Sequence, residues 1–167
     1  MDREVNIFER DIVAFNTPLE IGLRALFILN ALDPMAIDLN RMVIYDYFLL
    51  NSRDFPSGPQ SLHPPIPHRS AQIIIKPPIM NRALILMRSK ELIDIDFSSN
   101  GILYKANSLT RRFVELQENE YASKLKELSE WLHSQFKAYT DEDLNRFVNN
   151  NISNWGSEFI YESLMRE

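Results

Sequence analysis

From Pro18 to about Leu32 the run PLEIGLRALFILNAL is apolar almost all round, with Arg24 its main charged interruption, so it predicts a central helix packed on several sides. Thr17 can cap it. Pro18 suits the first helical position, where a missing N–H loses no partner, and Glu20 stands three residues after the cap. Asp33-Pro34 ends this helix, and Asp38 caps a second through LNRMVIYDYFLL, whose pattern leaves little beyond Asn40, Arg41 and Asp46 for solvent. A third helix, Pro78 to Ser89, gathers Ile79, Met80, Ala83, Leu84, Leu86 and Met87 on one broad face. Asn81, Arg82, Arg88 and Ser89 form the other face, with Ile85 in its middle, where a partner would be met.

The period then changes to two. Leu92 to Phe97 alternates as a half-buried strand does, Asn100-Gly101 supplies a tight turn, and Ile102 to Ala106 returns as the second arm of a hairpin. Helical spacing resumes in a segment capped by Ser108, running to about Glu118 and using Leu109, Phe113 and Leu116. A longer helix, Tyr121 to Phe136, carries a stripe of Tyr121, Leu125, Leu128, Leu132 and Phe136, which is either core or a seam with a second chain. Thr140 with Asp141, Glu142 and Asp143 opens another helix, and a final short one is expected from about Gly156.

Between the second and third helices the pattern breaks. Seven of nine prolines fall between Pro56 and Pro78, a density that argues against any helix there and marks a semi-rigid connection, residues 51–77. That connection is either an arm that docks on a partner or a cover packed over the helices. The fold class expected is mainly α with a small β-hairpin: a winged helix-turn-helix-like domain over 15–107 with a proline-rich insert, an N-terminal arm (1–14) and a C-terminal helical extension (108–167) packed with it.

Composition narrows the chemistry. No cysteine is present, which excludes disulfides, thiolate metal sites and cysteine nucleophiles. The four glycines are isolated, so no phosphate-binding loop exists. Asp94 and Asp96 share one solvent-facing side of a strand, which offers a carboxylate pair no protection. His63 and His68 flank PPIP with Arg69 beside the second, too few ligands for a metal, which leaves packing, capping or contact with a partner as their roles. The first twenty residues lack the apolar core of a signal peptide, and no apolar run is long enough to cross a bilayer, so a soluble cytoplasmic protein without membrane contact is expected. Formal charge is −5, which disfavours non-specific coating of nucleic acid. Residues 76–91 nonetheless carry Lys76, Arg82, Arg88 and Lys90 against Glu91 alone, so Arg82, Ile85, Arg88 and Lys90 are the candidate contacts for a protein partner or DNA, with His63, His68 and Arg69 beside them. No catalytic, cofactor or metal residue is assigned.

The strings FNTPLEIGLRAL at 15–26, IDLNRMVIYDYFLL at 37–50, SLHPPIPHRS at 61–70, GILYKA at 101–106 and Trp131-Leu132 resemble the middle component, type 2, of bacterial ABC-three-component systems. The resemblance extends over most of the chain from residue 15. It implies a small non-catalytic subunit of a Lamassu-like anti-phage assembly, seated on an SMC-like or Rad50-like ATPase and linking or restraining an effector such as a nuclease, with DNA contact within the complex a further option. The alternative is a winged helix-turn-helix transcriptional regulator that binds DNA as a dimer, joined through the Tyr121 to Phe136 helix.

Overall fold

The computed structural model describes residues 17–157. Within them the order is α1 (Pro18–Leu32), α2 (Leu39–Leu50), a 3-10 turn (Ser52–Asp54), α3 (Ala71–Ile75), α4 (Pro77–Ser89), β1 (Asp94–Ser98), β2 (Gly101–Lys105), α5 (Ser108–Glu115), α6 (Glu120–Phe136) and α7 (Asp141–Asn151). The fold is mainly α with one small antiparallel β-hairpin. The N-terminal arm and the short helix expected beyond Gly156 lie outside the described residues.

The caps follow the sequence. Thr17 Oγ1 accepts from the Glu20 N–H and Asp38 Oδ1 from the Arg41 N–H, while Thr140 and Asp143 close a reciprocal capping box at α7. One cap differs: Asn107, not Ser108, starts α5, because its carboxamide takes the Leu109 and Thr110 N–H groups and Thr110 answers its own N–H. That helix also stops at Glu115, so Leu116 is left 76 % exposed and the helix buries Thr110 and Val114 rather than Leu109 and Leu116.

α1 is central, in contact with α2, α4, α5 and α6. Leu125, Leu128, Leu132 and Phe136 of the α6 stripe are buried in this chain's own core, which corrects the dimer seam expected of the DNA-binding alternative. The hairpin pairs Asp94 with Lys105 through Ser98 with Gly101, and Ile37, from the α1–α2 connection, adds one bridge by exchanging both backbone hydrogen bonds with Tyr104. This fixes the hairpin base on the core.

Two expectations about α2 are overturned. Arg41 is 7 % exposed and Asp46 fully buried, instead of facing water. Arg41 donates to the Phe136 carbonyl at the end of α6, to the Tyr139 carbonyl in the loop that follows and to Asp141 in the first turn of α7, so it ties three helices where carbonyls and an acid would otherwise lack donors. The insert also contains a helix: the prolines pause between Pro67 and Pro77, and α3 forms in the gap.

Candidate interaction surface

Three interior anchors decide what the insert can present. The first joins α1, α2 and the start of α4. Each of the first two helices is apolar nearly all round with an opposite charge embedded in it. Arg24 meets Asp46 through Nε at 2.6 Å and Nη2 at 3.0 Å, and Lys76 Nζ reaches the same carboxylate at 2.6 Å. Burial by itself would raise the Asp46 pKa, but Arg24 and Lys76 together hold it well below the usual carboxylate range. Lys76 is therefore not part of the basic surface to which its sequence position assigns it.

The second anchor holds the crest of the insert. Arg69 is 6 % exposed and grips both Asp54 oxygens, at 2.8 and 2.5 Å, while Tyr47 Oη donates to Asp54 at 2.5 Å. The Tyr47 phenol is pushed above its ordinary pKa by burial first and by the adjoining carboxylate second. Its ring stacks on Trp155 at 5.2 Å. Gly156, at φ 89°, follows so closely that a Cβ there would lie 2.6 Å from the His68 nitrogen. Arg69, a candidate partner contact in the sequence, is turned inward as a strut.

The third anchor is aromatic. Phe55 leaves the 3-10 turn into a cluster with Phe48, Trp131, Phe136 and Phe147 at centroid distances of 5.2–6.3 Å. Tied at Phe55, Arg69 and Lys76, the insert is a cover packed on the helices. His63 is half-buried with Nε2 3.4 Å from Tyr121 Oη, and burial followed by the Arg24 charge lowers its pKa. His68 stays exposed at φ 53°. The two histidines do not converge on a metal: among the described residues no group of three or more His, Cys, Asp or Glu is placed to hold an ion.

The outer surface carries the remaining candidates. Arg82, Ile85, Arg88 and Lys90 are all exposed on α4 and its C-terminal end, with Ile85 at 59 %. Three further apolar features appear that sequence pattern did not single out. Ile74 and Ile75 on α3 are 72 % and 70 % exposed. At the hairpin tip, Phe97 and Ile102 face each other in register at 79 % and 45 %. The alternation that buries Ile93 and Tyr104 continues past the edge of the core, so the same face overhangs solvent at the tip. Lys105 is held by Asp96 at 2.8 Å, which leaves the hairpin without a free cation. A cleft of about 290 Å³ between α1, α5 and α6 is lined by Phe27, Phe113, Tyr121 and Leu125 with Glu20 at its edge, and brings no nucleophile and base together. None of the described helices is long and apolar enough to cross a membrane.

Comparison with known proteins gives one family. The model described as ABC-three component (ABC-3C) system Middle Component 2 matches residues 14–158. No curated protein and no solved structure matches the chain.

Proposed function

The chain belongs to the Middle Component 2 family of ABC-three-component systems, and from that membership we propose that it is a non-catalytic subunit joining an SMC-like or Rad50-like ATPase to an effector such as a nuclease. The observation that carries this reading is apolar surface left over after the core is complete. Phe97, Ile74, Ile75 and Ile85 are each more than half exposed on a body whose helices already bury one another. Apolar side chains left exposed on α3, on α4 and at the hairpin tip offer surface to a partner. The absence of cysteine from the sequence and of a converging acid–base pair in the cleft fits a linking role rather than chemistry on a substrate.

In this reading the buried ionic anchors are the device by which a proline-rich segment becomes a rigid platform. A partner that meets a pre-ordered surface loses less conformational entropy on docking than one that must order a loop. A tagged full-length chain, isolated from its native cell and sized with its companions, tests the proposal. It should come down with a large ATPase, and isolation as a free protein would contradict it.

A second reading, sequence-specific DNA binding through α4, rests on Arg82, Arg88 and Lys90, which are exposed and free of any ion pair among the described residues. It requires duplex affinity that falls steeply with salt and is lost on reversal of those charges.

A further inference from the structure

Between Asp54 and Glu91 the chain has no acidic residue, although it carries 23 in 167 positions. The later part of that interval forms one bent helical rod. Lys76, between α3 and α4, keeps right-handed helical angles (φ −76°, ψ −26°), and backbone bonds from Lys76 to Gln72 at 3.0 Å and from Met80 to Lys76 at 2.9 Å continue the ladder across the junction. Three rungs are missing between them: Pro77 and Pro78 have no N–H for the Ile73 and Ile74 carbonyls, and the Ile79 N–H does not bond the Ile75 carbonyl.

The inner side of the rod is committed: Met80, Ala83, Leu84 and Met87 sit in the core and Lys76 on Asp46. The outer side has a register of its own. Ala71, Ile75, Pro78, Arg82, Ile85 and Ser89 are separated by four, three, four, three and four residues, and all six are exposed. A four-three alternation is the spacing by which one helix receives the side chains of another. Arg82 and Arg88 stand three residues either side of Ile85 and Lys90 follows the helix end, and none of the three forms an ion pair among the described residues.

We propose that this rod is one half of a helix–helix interface, and that its occupant is an acidic amphipathic helix of a partner subunit. The inference rests on the middle-subunit reading and names the face and the partner chemistry within it. Ile75 and Ile85 supply the apolar anchors within the seam, and the cations beside them set register and direction against carboxylates. A protein fits better than a nucleic acid because isoleucines occupy the centre of the contact line, where phosphates would leave them unpartnered.

The experiment places a benzophenone photocrosslinker at position 75 or 85 of the tagged full-length chain, expressed in its native cell, and identifies the crosslinked peptide by mass spectrometry. The result expected is an acid-rich peptide of helical apolar spacing from a subunit of the same assembly. Yield should fall about tenfold in R82E/R88E and recover when acids on the captured helix are reversed to lysine. Thermal melting of R82E/R88E should match wild type, since neither arginine has an internal partner. An assembled complex with no crosslink from either position, a captured peptide without acids, or yield unchanged by R82E/R88E overturns the proposal while leaving the middle-subunit reading intact. Crosslinks to duplex DNA would overturn it in favour of the nucleic-acid reading. A wild-type chain that joins no assembly removes both.

Discussion

Asp46→Asn is the substitution that most sharply separates a structural keystone from an incidental ion pair. Asparagine keeps the shape and one acceptor, but it removes the negative charge on which Arg24 and Lys76, 3 % and 4 % exposed, converge. Removing one partner of a buried pair costs about 3–5 kcal/mol. For a chain of this length that corresponds to a fall in Tm of about 10–15 °C. Lys76→Met should cost only about 1–2 kcal/mol, because the two-point Arg24–Asp46 contact survives. The double variant D46N/K76M should be more stable than the sum of the single losses predicts, by at least about 1 kcal/mol, since the second change removes a cation that the first stranded. Urea unfolding followed by tryptophan fluorescence reads all four proteins.

The same carboxylate sets an acid limit. Unfolded Asp46 takes up a proton near pH ~4, while the folded carboxylate resists protonation to lower pH. The stabilisation is therefore complete above that range and fades as pH falls through it, a slope D46N should lack. A loss below about 1 kcal/mol in D46N, or strict additivity with K76M, would refute the reasoning from burial and pairing.

Three further outcomes follow from the insert and its anchors. Arg69→Ala strands Asp54 beside Tyr47 and should cost about 3–5 kcal/mol, with limited proteolysis then cutting within residues 56–68 before the body unfolds. Gly58→Ala should destabilise by about 1–3 kcal/mol, because its Cβ would stand 1.9 Å from the Ser52 carbonyl oxygen, a backbone atom that cannot move aside; calorimetry checks it. Because the folded His63 ring resists protonation, stability should decline as pH drops below about 6.5, where the unfolded ring takes up its proton, and His63→Gln should flatten that decline in melts at pH 7.5 and 5.5.

The elements were legible because their caps and periods are local. Thr17, Asp38 and Thr140 each declare a helix start by their own chemistry, and the change from helical to strand spacing at Leu92 announces the hairpin. The interior charges were not legible in the same way. Charge alone assigns Arg41 and Asp46 to water, and only three-dimensional neighbours reveal that each is enclosed by partners more than twenty positions away. A signal was nevertheless available: α1 and α2 are apolar nearly all round, with Arg24 and Asp46 of opposite sign embedded among apolar residues, and helices with so little polar surface can bury such charges only by joining them. Proline density averaged over residues 51–77 hides the proline-free stretch between Pro67 and Pro77, where α3 forms. Of the surface candidates, Arg82, Ile85, Arg88, Lys90 and His68 are exposed, His63 is half-buried, and Arg69 is buried against Asp54. Strand alternation assigns Phe97 to the buried side of the hairpin and says nothing of where the core ends, so its exposure is visible only in the fold.

The most direct measurement is co-purification of the Ile75→Asp/Ile85→Asp double variant beside wild type from the native cell, with both melting temperatures recorded. If the exposed rod holds a partner subunit, wild type brings down the ATPase and the variant loses at least about nine tenths of it at an unchanged Tm. Equal recovery from the two proteins would contradict the account.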